Sequence, residues 1–394
     1  MDERTREYLA GRFGDHYRRA TIANPPDAHT REWGYIPWET GGGTTMVRHR
    51  SLTELGSLAD FLTQEQARHV YFSAGHYGDP GASRMGAKDW RGSDLIFDLD
   101  ADHLPTVNPE TDSFRAMLEA CKEELFALLS FLEEDFGFGD PTVVFSGNRG
   151  YHVHIRSDDV TQLDRQARRD IVEYVRGEGV SVETVLHTSH VTGAGRTTPA
   201  QTRRLDIDGG WSRRVHREVV AFVDELVAMD HEEALESLRS IEGIGAQRAD
   251  ALVTAIDDRR SELESGNVDI HPAMMRLLAE LIDRAISRQS AAIDEPVTTD
   301  INRLIRLPGS LHGGSGLQVT ELHREELGSF DPLVDPIPPT FRGHQIAIEV
   351  TSPSTVELGE NTRELSSGPV RLPEYAAIHL MARGVARKVP ESTI

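Results

Sequence analysis

Apolar residues recur along the chain with two periods, and the switching between them outlines the elements. Residues 3–19 set Tyr8, Leu9, Phe13 and Tyr17 at helical spacing. Residues 112–136 keep Phe114, Met117, Leu118, Cys121, Leu125, Leu128, Leu129 and Leu132 on one broad stripe, which predicts a long helix. Short apolar runs at 69–72 (HVYF), 94–99 (DLIFDL), 141–145 (PTVVF) and 151–155 (YHVHI) predict strands, and a helix is expected at 162–176. Residues 190–212, rich in Gly, Thr and Arg, predict a loop. The pattern is then helical and strongly charged to about 265, with another helix at 271–289. Strand and turn signals return at 301–320 and 344–350, a loop or linker is expected at 352–372, and an amphipathic helix at 374–388 closes the chain. This order predicts an α/β (α+β) class, with mixed β-sheets flanked by helices and an all-α insertion. The expected division is 1–212 as the first part of a core, 213–268 as the helical insertion, 269–350 as the second part of the core, and 351–394 as linker and C-terminal helix.

Composition narrows the setting. Only 38% of the 394 residues are hydrophobic, and no apolar run approaches the ~20 residues of a membrane span. The N-terminus is charged from its second residue and lacks a signal-peptide core, so a soluble, cytoplasmic protein is expected. The single Cys121 excludes a disulfide framework and a zinc site of clustered cysteines. Acids outnumber basic residues 64 to 42, giving a net charge of −22, and Lys88, Lys122 and Lys388 are the only lysines. An evenly acidic, lysine-poor surface suits a cytosol of very high salt, where long-range charge effects are screened, and points to a halophilic source. It argues against a generally basic nucleic-acid binder but leaves room for a local basic groove.

Three segments carry candidate chemistry. In the strand Leu95–Asp100, alternation sets Ile96, Asp98 and Asp100 on one face. Two carboxylates this close repel unless a cation lies between them. Divalent cations do this well, since Mg²⁺ takes one or two carboxylates plus substrate phosphates; a solvated strand end is the bland alternative. Asp102 follows in the same alternation and reads as a surface charge. The turn Ser146-Gly147-Asn148-Arg149-Gly150 can offer backbone N–H groups and a hydroxyl to phosphate, with Arg149 at its tip for a bidentate contact. It leads into His152 and His154 on one strand face; a plain hairpin with two partly buried histidines would read the same way, and His-x-His with a carboxylate can also hold zinc. The third segment runs from Asp294 to Gly316. Arg303 and Arg306, three apart, are expected on one side of a helical turn, and a Pro-Gly-Ser turn then leads to His312 and a glycine-rich loop. Arginine and histidine near acids suit a triphosphate site.

Taken together, FDLDAD (97–102), SGNRGYHVHI (146–155) and INRLIRLPGSLHGGSGL (301–317), in this order and spacing, resemble the small catalytic subunit of the archaeal and eukaryotic DNA primase. REWGYIPWE (31–39) and MVRHRSL (46–52) are similar to that family's N-terminal motif and the strand after it. The resemblance covers about residues 1–350. It implies a primase–polymerase core and a triad of metal-binding aspartates: Asp98, Asp100, and a third eighteen residues before the histidine of the Ser-x-His turn, which is Asp294; Asp300 competes for that role. It further implies nucleotide contacts from Ser146, Arg149, His152, Arg306 and His312, with Glu32 and Arg48 near nucleotide or template. The implied activity is template-directed nucleotidyl transfer with Mg²⁺ or Mn²⁺, making short RNA or DNA primers from NTPs or dNTPs on single-stranded DNA. The implied partner is a large primase subunit. A stand-alone primase–polymerase of repair, a non-catalytic DNA-binding scaffold and a metal-dependent phosphoesterase are the rival readings.

Two departures from the family pattern stand out. Residues 101–121, where relatives carry a zinc knuckle, hold only His103 and Cys121, which speaks against a structural zinc. The loop His312-Gly313-Gly314-Ser315 lacks the lysine that relatives often place there. The insertion adds a helix-hairpin-helix-like stretch, Leu238 to Leu252 around Gly243-Ile244-Gly245. It suits either a DNA phosphate or packing alone. The C-terminal helix around Tyr375, Ile378, Leu380 and Met381 is a candidate docking surface, with packing onto its own core the favoured use.

Overall fold

The computed structural model describes residues 1–39, 45–191, 200–359 and 362–393. The chain forms two compact units, one of residues 1–125, 140–169 and 292–394, the other of 126–139 and 170–291. Among the described residues no helix is long and apolar enough to cross a membrane.

Among the described residues, three sheets and a small two-stranded hairpin build the first unit. In the first, strand His69–Tyr77 is central and pairs with Arg31–Ile36, Trp90–Ser93 and Leu304–Arg306; Arg31–Ile36 in turn carries Val47–Arg50. In the second, the order is Thr320–Leu322, Thr142–Phe145, Gly150–Ile155, Leu95–Asp100, all antiparallel. The runs predicted as strands are strands because both faces are covered: Leu95, Ile96, Phe97, Leu99, Val143, Val144, Phe145, Tyr151 and Val153 are all buried. His154 stacks on Phe72, with ring centroids 6.3 Å apart, so the two sheets touch at this point.

A buried ionic hub locks the first sheet to the carboxylate strand. The Asp94 carboxylate pairs with Arg31 at 2.9 Å, His76 at 3.0 Å and Arg156 at 3.3 Å. Arg168, also buried, donates to the carbonyls of Ser93 and Asp94 at 2.8 Å each. Four cationic or imidazole groups thus converge on one turn, which holds the start of Leu95–Asp100 in place.

The third sheet corrects the expected linker. Residues 345–350 pair with 368–373 and 386–388, and a small hairpin joins 354–356 to 363–365. The closing helix runs only from Glu374 to Ala382, because Gly384 leaves the helical region at φ 79°. Ala376, Ala377, Ile378, Leu380 and Met381 are buried, so this helix is covered by its own unit and is not the exposed apolar patch a docking surface needs.

The second unit is mainly helical: Gly210–Ala228, His231–Arg239, Ala246–Asp258 and Met274–Gln289. It is larger than the stretch 213–268. Leu277, Leu278 and Leu281 of the last helix are buried, and Arg284 of that helix sits over the Phe222 ring at 5.1 Å while also pairing with Glu218. Residues 126–139 join as well, through Arg214 over Phe131 at 3.7 Å and the Arg214–Asp135 ion pair at 2.9 Å. The expected loop at 190–212 contains a hairpin, Leu186–Val191 with Ala200–Leu205, and the start of a helix; residues 192–199 lie outside the described ones.

Candidate active site

The cleft is built by strand register. Asp98 lies opposite His152, and Asp100 opposite Gly150. A Cβ on Gly150 would stand 2.0 Å from the Leu99 carbonyl oxygen, so only glycine lets the turn lie this close to the carboxylate strand. The turn closes on itself through Ser146 N–H to the Gly150 carbonyl (2.9 Å) and Gly150 N–H to the Ser146 hydroxyl (3.2 Å). Gly147, at φ 78°, packs against His312, and the Ser315 hydroxyl donates to the Gly147 carbonyl. The glycine turn and the His312 loop are therefore one framework. His379 of the closing helix lies 3.0 Å from the Ser315 carbonyl and steadies that framework from behind.

A cavity of about 460 Å³ opens over this framework. Asp98, Asp100, Ser146, Arg149 and His152 line it from the second sheet and its turn. Tyr71, Arg48 and Arg306 line it from the first sheet, with Arg303, Asp300 and His312 completing the wall. Two sequence expectations meet here and one is corrected. Arg303 and Arg306 are not on a helical turn: Arg306 ends a short strand, and Arg303 lies in the turn before it.

Charge in the cavity is divided. Burial, then the neighbouring Asp100 and Asp294 carboxylates, push Asp98 up to about 6. Burial and the cations Arg306 and Arg303 push His152 down to about 3, so its ring is neutral; its Nε2 is 3.7 Å from Asp98. His312 is likewise held well below its ordinary value by burial, with Arg306 and His69 adding to it. A deep carboxylate that resists ionisation beside a second carboxylate is a place where a divalent cation lowers the energy, and the donor set fits Mg²⁺ or Mn²⁺. Among the described residues no three His, Cys, Asp or Glu groups form a ready-made cage, so oxygens of substrate or water would have to complete the shell around the carboxylates.

Asp294 and Asp300 take different places. The Asp294 N–H donates to the Asp98 carbonyl at 3.0 Å, and its carboxylate is close enough to raise Asp98. Asp300 stands on the cavity wall and caps the turn at Asn302. Asp102 is an exposed charge, as its sequence position suggests, and is ion-paired with Arg149. Arg48 reaches the wall while Glu32 is buried behind it, accepting from Arg48 Nε and from the His49 N–H at 3.1 Å each, with Lys88 at 3.5 Å. Cys121 is buried against the Leu99 carbonyl, and burial pushes its thiol up, which leaves it poorly suited to bind metal. Tyr71 and Asn302 belong to the wall but escape sequence reasoning, and Asn148, named there only as part of the turn, belongs to it as well. For Tyr71 the signal was present, since alternation in HVYF sets it on one face with His69.

A carboxylate pair faces a group of arginines and neutral histidines between two antiparallel sheets of an α+β protein, and the chemistry of that set suits phosphate groups beside a cation. A profile of the DNA primase small subunit matches residues 97–323. The DNA primase small subunit PriS of Natronomonas pharaonis is 56% identical over 395 aligned positions, 99% of this chain and all of that one. That of Haloarcula marismortui is 54% identical over 392, again 99% of this chain and all of its own. That of Methanothrix thermoacetophila is 39% identical over 397, covering 98% and 99%. The chain belongs to the DNA primase small subunit family. The first two of these relatives come from halophilic archaea, in keeping with the acidic, lysine-poor composition.

Proposed function

We propose that this chain is the catalytic small subunit of a DNA primase, making short RNA primers, or DNA ones, on single-stranded DNA by template-directed nucleotidyl transfer. The observation that carries the reading is one cavity holding Asp98 and Asp100 together with Arg149, Arg306, His152 and His312. The full-length match to proteins named as small subunits disfavours a scaffold or a stand-alone repair enzyme and implies a large primase subunit as partner.

Mg²⁺ or Mn²⁺, when bound, would be held by Asp98 and Asp100 with Asp294 as third carboxylate, lowering the pKa of the primer 3′-hydroxyl and neutralising the departing pyrophosphate. The chain's own groups would do the rest. Arg149 and Arg306 would clamp triphosphate oxygens with fixed guanidinium donors. Neutral His152 and His312 would donate hydrogen bonds without adding charge, and Ser146 with the turn's N–H groups would cradle a phosphate.

The test is primer synthesis on single-stranded DNA with Mg²⁺ or Mn²⁺ in molar KCl. Asp98→Asn and Asp294→Asn should be inactive and Asp300→Asn active. Retained synthesis in both of the first pair would sink the mechanism, and an inactive Asp300→Asn beside an active Asp294→Asn would move the third carboxylate to Asp300.

A further inference from the structure

One buried imidazole touches two of the phosphate-facing segments without itself lining the cavity. Strand pairing sets Arg306 opposite Tyr71, and the Leu307 N–H bonds to the Val70 carbonyl at 3.0 Å. His69, two residues from Tyr71 on the same strand face, then falls beside the Arg306 guanidinium. Arg306 Nη1 is 2.7 Å from His69 Nδ1 and 3.0 Å from the Tyr71 hydroxyl. The Gly313 N–H donates to the same Nδ1 at 3.3 Å, and the His69 and His312 rings meet edge to face at 4.9 Å. Nδ1 is therefore an acceptor and the ring proton sits on Nε2. Burial, with Arg306 and Arg68 adjacent, keeps this ring neutral. Both Nη1 hydrogens are used by His69 and Tyr71, which leaves Nε and Nη2 of Arg306 for a ligand.

Gly313 is fixed on its other side as well. A Cβ there would lie 2.6 Å from the Arg68 carbonyl oxygen and 2.9 Å from His69 Nε2. The loop that carries His312 thus rests directly on residues 68 and 69.

We propose that His69 is a positioning residue for the incoming nucleotide: its Nδ1 ties Arg306 and the Gly313 backbone into one frame, so that Arg306 and His312 meet the triphosphate together. The proposal deepens the primase reading and rests on it. A neutral acceptor suits this place, because a carboxylate would cancel the charge Arg306 offers to phosphate and a protonated histidine would repel it.

The experiment compares His69→Asn, whose Oδ1 can stand where Nδ1 stood, with His69→Phe, which keeps a ring but no acceptor, each alone and with Arg306→Ala. ATP binding with Mg²⁺ is measured by titration, primer extension gives KM and kcat, and thermal unfolding is followed in parallel. His69→Phe should raise KM and the ATP dissociation constant about tenfold to a hundredfold, with kcat within about threefold of wild type, the size expected for one charge-assisted contact. His69→Asn should restore most of that loss. In the Arg306→Ala background His69→Phe should add little. Equal losses in His69→Asn and His69→Phe, or full additivity with Arg306→Ala, would overturn the proposal and leave a packing role. If the wild-type chain binds ATP but makes no primer, the primase reading fails by itself, and the binding cycle still decides the role of His69.

Discussion

Asp98→Asn separates the energetic cost of the site from its use. In the folded chain the carboxyl titrates at about 6 against an ordinary 3.8, first because it is buried and then because Asp100 lies beside it. A raised carboxyl favours the protonated form in the fold. The native state therefore binds more protons than the unfolded chain between pH 4 and 6, and stability falls as pH rises through that window. By pH 7 the full cost is present, about 3 kcal/mol on the scale of 1.36 kcal/mol for each pKa unit. Asparagine keeps the shape and carries no charge. In chelator, Asp98→Asn should raise the thermal midpoint at pH 7 and leave it nearly unchanged near pH 4. Added Mg²⁺ should stabilise wild type and not the variant, by mass action on the native state. Primer synthesis should fall by about a hundredfold or more, the scale of losing a group that stabilises charge in the transition state. Salt does not remove the effect, because burial rather than long-range repulsion is its main cause. A variant less stable than wild type at pH 7, or a stability gain persisting equally at pH 4, would refute the reasoning.

Gly150→Ala should cost about 2 kcal/mol in denaturant unfolding, because its Cβ would press into the Leu99 carbonyl oxygen with no flexible side chain to yield. Lys88→Met should destabilise by about 3 kcal/mol, since it leaves the fully buried Glu32 carboxylate without its nearest buried cation; the same measurement on Lys88→Met with Glu32→Gln should recover much of the loss. Arg149→Ala should raise the KM for nucleotide in primer extension about tenfold or more, while Asp102→Ala, which frees that guanidinium from its ion pair, should change KM in a way that disappears in the Arg149→Ala background.

The element types of the site were legible because they are local. Alternation in Leu95–Asp100 put Asp98 and Asp100 on one face, and the structure has that strand. The glycine turn at 146–150 was legible for the same reason. Arg303–Arg306 was misread because a spacing of three suggests a helical turn until one knows that residues 304–306 fill the edge of a sheet beside 69–77. The strands between 350 and 373 were missed because their faces are mixed and the helix 374–382 that packs on their sheet follows them in the chain. Arg31 and Glu32 were read as one motif, yet the first serves the Asp94 hub and the second holds Arg48. Adjacent strand residues point to opposite faces, so one motif supplies two unrelated contacts.

By itself the sequence determined the family, the class of fold, the carboxylate pair and the turn that faces it, since backbone geometry over a few residues sets their periods and turns. It also carried the acidic surface, which is composition alone. Only the tertiary structure decided that Arg306 and His312 meet Asp98 in one cavity, that Asp294 adjoins Asp98 while Asp300 lines the cavity wall, that His69 stands behind Arg306, and that the helical unit extends well past residues 213–268. Each of these depends on which strands pair and which apolar faces are buried together. Such choices join residues far apart in the chain, where no local period can record them. They also explain how a chain of net charge −22 holds a cleft in which arginines face the carboxylates: the acids lie mostly on the surface, while sheet register gathers a few arginines into one place.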